Sequence, residues 1–432
     1  MAGVIVAGTL LLALPVSAAA GESLGWSAAF FTATSAVCVT GLIVVDTPTA
    51  FSGFGEAVVL ALIQVGGLGY MTVSTLIAVF LGRRVSLGDR LLLQASLNVA
   101  SRRDLLQFVK TVVKLTVVAE ALGAAILTLR WWPEFGLAQA SWLGLFHAVS
   151  AFNNAGFSLF STSLAGWRGD VAVNLTVMAL VIVGGTGYLT VTEVGRVRRW
   201  QRLSLHTRLV LVMTATLLAG GAVAYYAIER ANAATLGALP AFEAGLAAAF
   251  QSVTTRTAGF NTIDMQALQP AALFLTLMLM FIGGAPGGTS GGVKVTTFGI
   301  TVLALLATVR GRRDATLFWR RLPLGLVARS FLICLTGFLA LNVVAGLLLV
   351  VQGGPLLPVL FEATSAFGTV GLSTGAEGSP VSLSGDFANP ARLLICLLMF
   401  VGRIGPLTIA FALAGRHPTS RVRYPEERVL IG

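Results

Sequence analysis

The chain has 432 residues, 56% of them hydrophobic and only 11% charged, with a mean hydropathy of +0.86. Soluble chains carry about a quarter charged residues, so this composition excludes a soluble globular protein and implies several membrane spans. The formal charge of +11 does not point to nucleic acid, because 26 of the 29 basic residues are Arg set in short clusters between apolar runs, the pattern of cytoplasmic loops.

Residues 1–20 are apolar and end in small residues, but lack the basic start of a secretory signal. They are expected to form a first span. The stretch 26–36 is too short to cross a bilayer and suggests a re-entrant half-helix. A span over 56–81 follows. The same order recurs. A span is expected over 105–129, a half-helix over 141–152 and a span over 171–194. Next come 209–228, 242–253 and a long segment over 271–308, and finally 326–351, 356–367 and 391–414. The expected fold is an all-α polytopic membrane protein. Four tandem span–pore-helix–span repeats, with eight transmembrane helices and four re-entrant half-helices, surround one central pore. The repeats run over 1–82, 83–195, 196–309 (with a broken second span) and 310–414, with a cytoplasmic tail over 415–432.

A glycine turn follows each half-helix: Val39-Thr40-Gly41, Asn154-Ala155-Gly156, Thr257-Ala258-Gly259 and Thr369-Val370-Gly371, each continued by Leu or Phe. The glycines are 115, 103 and 112 residues apart, an internal repeat. A Ser stands six residues before three of them (Ser35, Ser150, Ser365) and seven before the other (Ser252). Glycine admits positive φ, and irregular backbone survives at membrane depth only inside protein or along a water-filled path. Four such turns about one axis would present a ring of carbonyl oxygens able to replace the hydration shell of a monovalent cation.

The second spans share another motif. Gly66-Gly67-Leu68-Gly69-Tyr70 matches Gly184-Gly185-Thr186-Gly187-Tyr188, and Gly402-Arg403-Ile404-Gly405 is a looser copy. In the third repeat the motif becomes Gly283-Gly284-Ala285-Pro286-Gly287-Gly288-Thr289-Ser290-Gly291-Gly292-Val293-Lys294. Each interior Gly costs roughly 1 kcal/mol against Ala and Pro roughly 3, so this span must break. The expectation is a gating loop beneath the ring, flanked by two intramembrane charges, Lys294 and Arg403. Arg256, just before the third turn, is expected to pair with Glu243 or Glu362.

Basic clusters follow each second span (83–103, 196–202, 310–321 and 416–423). The segments around the turns carry mostly acids, among them Asp46, Glu56, Asp170, Asp264, Glu377 and Asp386. Both termini should therefore be cytoplasmic. Cys38, Cys334 and Cys396 offer no disulfide or metal spacing, and His147, His206 and His417 are scattered.

These four turns, the broken Gly-rich span, Arg403 and the ending Arg423-Tyr424-Pro425-Glu426-Glu427-Arg428 together resemble the pore subunit of the Ktr/Trk/HKT superfamily of potassium transporters, the Ktr branch most. The resemblance covers nearly the whole chain. It implies that the turn residues 39–41, 154–156, 257–259 and 369–371 hold K+, that 283–292 is the intramembrane gate with Arg403 beside it, and that Na+ is a candidate activator. It also implies a homodimer in the plasma (inner) membrane with a pore in each protomer, the carboxy-terminal tail contributing to the dimer interface, and a cytosolic nucleotide-binding regulatory ring. A cytoplasmic amino-terminal segment found in some relatives has no counterpart before the first span. The resemblance implies a transporter rather than an enzyme. Two other readings stand beside it. One is an ion-coupled secondary transporter with broken helices. The other is an intramembrane serine hydrolase built on Gly288-Thr289-Ser290-Gly291, which would need a base beside Ser290.

Overall fold

The computed structural model describes residues 1–69, 102–197, 199–312, 314–376 and 379–405. The expected end of the second span at 70–81, the first basic cluster up to residue 101, Arg198, Arg313, Glu377, the rest of the last span from 406 on and the tail lie outside the described residues. The longer helices are α1 (Ala2–Leu12), α2 (Trp26–Cys38), α3 (Gly53–Gly67), α4 (Arg102–Phe152), α5 (Val171–Gly185), α6 (Tyr188–Arg196), α7 (Leu205–Glu229), α8 (Ala241–Thr254), α9 (Pro270–Phe281), α10 (Val295–Val309), α11 (Leu324–Gln352), α12 (Leu356–Gly368) and α13 (Asn389–Ile404). Among the described residues the only sheet is a two-stranded hairpin, Thr316–Leu317 with Arg320–Arg321.

Their boundaries follow from local chemistry. Ser52, Asp170 and Ser204 cap α3, α5 and α7 by accepting the N–H of Gly55, Val173 and Thr207 at 3.2, 2.9 and 3.2 Å, satisfying donors that a helix start leaves free. Pro270 opens α9, where a missing N–H costs nothing. Helix α4 joins the first span of the second repeat to its half-helix through a kink at Gly136 (φ 74), three residues after Pro133.

Two expectations need correction. The first span is shorter than 1–20: α1 ends at Leu12 and a 3-10 turn over Pro15–Ser17 follows, since proline cannot donate within a helix. The second span of the second repeat, expected over 171–194, is also not continuous. Helices α3, α5 and α13 stop at Gly67, Gly185 and Ile404, and Gly69, Gly187 and Gly405 beyond them have φ of 82°, 87° and 98°. Helices α5 and α6 meet at 100°. The shared glycine motif thus ends a straight helix in every repeat, and among the described residues a helix resumes beyond it at Tyr188 in the second repeat and, after a longer break from Phe281, at Val295 in the third.

Helices α4, α7 and α11 are long and apolar enough to cross a membrane, and the bent pair α5–α6 makes a fourth. Their outward faces carry Val117, Leu122, Leu129, Phe338, Leu339 and Val343 in exposed positions, as a lipid-facing belt requires. The half-helices α2, α8, α12 and the end of α4 occupy the centre. Phe31, Phe146, Phe152, Phe250, Phe361 and Phe367 on them are among the largest fully buried side chains. The result is a polytopic all-α bundle with four half-helices grouped at its centre.

Candidate functional site

A left-handed residue follows each half-helix, directly after α2 and α12, two residues after α4 and three after α8. Val39 (φ 56), Asn154 (φ 59), Thr257 (φ 68) and Thr369 (φ 51) adopt this conformation, and two residues on Gly41, Gly156, Gly259 and Gly371 have φ of 90°, 73°, 79° and 92°. Three of the four non-glycine positions are β-branched, for which positive φ is a true outlier. Backbone strain of this kind, of order 1–3 kcal/mol per residue, persists only where the surroundings enforce it and gathers at functional sites.

The enforcing contacts come from the half-helices. Thr40 and Val370 donate to the Ser35 and Ser365 carbonyls at 2.8 Å, and Ala155 donates to that of Ser150 at 2.7 Å. Gly41 and Gly371 donate to Ser35 Oγ and Ser365 Oγ, both at 3.0 Å. Ser150 Oγ reaches past the turn to the Phe157 carbonyl at 2.8 Å. In the third turn Ser252 does not take this part: its hydroxyl donates to Leu218 O. Thr254 Oγ1 replaces it and donates to the Phe260 carbonyl at 2.5 Å.

The four turn glycines form a closed ring. A methyl carbon built on Gly41 would lie 2.9 Å from Gly156 Cα, and one on Gly156 would lie 2.9 Å from Gly259 Cα. One on Gly259 would lie 3.3 Å from Gly371 Cα, and one on Gly371 3.1 Å from Gly41 Cα. The carbonyl oxygens of Ala155, Ala258, Val370 and Thr40 abut Gly41, Gly156, Gly259 and Gly371, each the glycine of the preceding turn around the ring. The ring opens on one side into a cavity lined by the same glycines with Asp46 and Asp264, and without a basic side chain among its described lining residues. Half-helix C-termini, each equivalent to roughly half a negative charge, end at this ring.

On the other side lies the broken span. Gly283 donates to Val293 O at 2.8 Å, Ala285 to Gly185 O at 2.9 Å, Thr289 to Gly184 O at 3.1 Å and Gly292 to Gly402 O at 3.2 Å. Tyr188 donates to Gly287 O at 3.2 Å, so the carbonyl before Gly288 is held by the start of α6. Pro286 O lies against Gly187. Lys294 Nζ turns back to the Ser290 carbonyl at 2.5 Å and the Gly291 carbonyl at 3.4 Å. Arg403 donates through one Nη to Thr289 O and through the other to Gly66 O at 2.6 Å. Thr289 Oγ1 donates to Asn154 Oδ1 at 2.8 Å, and Gly291 abuts the Thr369 side chain. The loop therefore touches the underside of the second and fourth turns.

Arg256 pairs with neither Glu243 nor Glu362. Arg168 holds Glu243 at 2.9 Å. Ser373 Oγ, Ser384 N and Ser384 Oγ hold Glu362 at 2.6, 2.9 and 2.5 Å. Arg256 is buried and donates instead to the Leu279 carbonyl near the end of α9. Ser290 Oγ meets no base among the described residues.

Two features escaped the sequence reading. Gly66, Gly184 and Gly402 each leave no room for a Cβ, which would overlap the carbonyl oxygen of Val37, Phe152 or Phe367 at the end of the same repeat's half-helix. The repeated Gly-Gly was visible, and its spacing after each half-helix was the available signal. The other is Asn154, whose amide joins two turns and the loop: Nδ2 donates to Arg256 O at 3.0 Å while Oδ1 accepts from Thr289.

Residues 4–423 match the TrkH family, described as cation transport proteins. The chain is 38% identical to "Ktr system potassium uptake protein B" of Bacillus subtilis (strain 168), over 99% of this chain and 94% of that one. It is 35% identical to "Potassium/sodium uptake protein NtpJ" of Enterococcus hirae, over 99% and 94% respectively. The crystal structure of the potassium transporter TrkH from Vibrio parahaemolyticus has the same fold, with a TM-score of 0.74 at 19% identity over 95% of this chain and 83% of that one.

Proposed function

The chain belongs to the TrkH family of cation transport proteins, and from that premise we propose that it takes up potassium across the plasma membrane through the ring of turns. A dehydrated K+ is held by carbonyls of residues 39–41, 154–156, 257–259 and 369–371, which replace its water. The single observation that carries this reading is the closure of four strained glycine turns, far apart in sequence, into one ring. The acid-lined cavity above it supports entry of a cation rather than an anion.

The loop 283–292 is the gate, with Arg403 as its internal tie and barrier. Its contacts with Asn154 and Thr369 support a closed position under the ring. Positive charge at Arg403 and Lys294 opposes cation passage while the loop is in place. The repeats divide at 82, 195, 309 and 414. Both termini face the cytoplasm, and the ring opens outward. Arg196, Arg199, Arg202, Arg310, Arg312, Arg320 and Arg321 are exposed, which suits a cytosolic nucleotide-binding ring and the positive-inside pattern. The working unit is a homodimer, with Na+ an activator. The protein is a transporter and not an enzyme.

The decisive experiment is rubidium flux into liposomes holding the purified chain. Potassium should compete strongly and sodium weakly. Equal competition by the two ions would overturn the filter assignment.

A further inference from the structure

Glu120 lies in the middle of α4, buried among apolar neighbours, and forms no ion pair among the described residues. Burying a carboxyl is costly unless hydrogen bonds satisfy it. Two amides do so: Gln64 Nε2 on α3 donates to Oε2 at 3.1 Å, and Asn153 Nδ2 at the end of the second half-helix donates to Oε1 at 2.9 Å. Asn153 Nδ2 also serves Gln64 Oε1 at 2.8 Å and Val149 O at 2.9 Å. The three side chains close a triangle linking three elements.

Both amides stand next to a contact that holds the loop. Asn153 precedes Asn154, whose Oδ1 accepts the Thr289 hydroxyl at 2.8 Å. Gln64 lies two residues before Gly66, whose carbonyl accepts one Nη of Arg403. The other Nη of Arg403 donates to the Thr289 carbonyl. The two routes meet on one residue of the loop, its hydroxyl held from one side and its carbonyl from the other.

We propose that Glu120 is a positioning residue for the gate, fixing through Gln64 and Asn153 the two latches that hold Thr289. This rests on the reading of 283–292 as a gate, but its first test does not. Hydrogen exchange of the purified full chain would be followed at the loop amides that donate in the structure, those of Gly283, Ala285, Gly288, Thr289 and Gly292. Glu120→Gln should speed exchange there by roughly two- to tenfold, the range that one net hydrogen bond spans. Exchange in α12 should not change, and Glu120→Asp should restore much of the protection. Glu120→Gln combined with Thr289→Val should fall well short of the product of the two single effects, because the two variants share the hydroxyl latch. Should Glu120→Gln fail to fold, Gln64→Leu carries the same expectation. Unchanged exchange in the loop, equal acceleration throughout the protein, or multiplying effects in the double variant would each overturn the proposal. Rubidium flux in Glu120→Gln should rise by a similar factor. A wild-type chain without potassium-competed flux would count against the potassium reading, while the exchange result would still decide the role of Glu120.

Discussion

Val39, Thr257 and Thr369 hold left-handed backbone against the preference of β-branched residues, and serines at the ends of the half-helices hold two of these turns in place. Ser365→Ala should therefore cost about 1 kcal/mol in stability, the worth of one buried hydrogen bond, and lower the rubidium-over-sodium flux ratio. Ser252→Ala should leave that ratio alone, because its hydroxyl bonds Leu218 O away from the turn. An equal loss in both variants would contradict the assignment. Gly371→Ser places a Cβ against the Thr40 carbonyl at a φ of 92°, so it should reduce discrimination by about tenfold, or about 1.4 kcal/mol, in competed rubidium flux. The glycines and the serines at 35, 150 and 365 were legible because they sit in fixed register with the half-helices. Ser252 falls out of that register because the third half-helix ends differently, and Thr254, one helical face away, reaches the equivalent carbonyl. Arg256 misled because acids at plausible spacing were already satisfied by Arg168 and by two serines.

Half-helices, long spans and the broken third span could be read from runs of apolar residues, since length against bilayer thickness is a strong constraint. The break in the second repeat's second span could not, because Gly is common inside membrane helices and a short Gly-rich motif does not by itself tell a break from close helix packing. What decides the break is the positive φ at Gly187 and the close approach at the paired glycines before it. Gly184→Ala should thus be destabilising by about 1–3 kcal/mol, the usual range for overpacking, since its Cβ would meet the Phe152 carbonyl. Gly195→Ala, with open space around it, should be nearly neutral, and equal melting temperatures for the two would refute the packing argument. Deleting Gly284 to Gly291 removes the loop that contacts Asn154 and Thr369. Rubidium flux should rise while the potassium-over-sodium preference survives, because the ring is built from other elements. Lost flux at normal expression would mean that the loop supports the ring instead of blocking it.

At the scale of the molecule, the decisive contacts join residues hundreds of positions apart, such as Arg403 with Gly66. No local pattern reports them; only the equivalence of the repeats suggested that the four turns meet. The ring they form has consequences for energetics. Coupled transporters built on broken helices hold substrate near the midplane between two repeats. Here one ring is formed by four turns, with an open acid-lined cavity on one side and the Gly-rich loop on the other. On the proposed reading of the loop as the gate, lifting it leaves a continuous path, and a continuous path cannot do work against a gradient. Flux should then follow the rubidium gradient and the membrane potential alone. In liposomes clamped at zero potential, uptake should stop when internal and external rubidium are equal, whether or not a sodium or proton gradient is imposed. Accumulation beyond that point, driven by either gradient, would require a closed state on both sides of the ion and would rule out a simple gated pore.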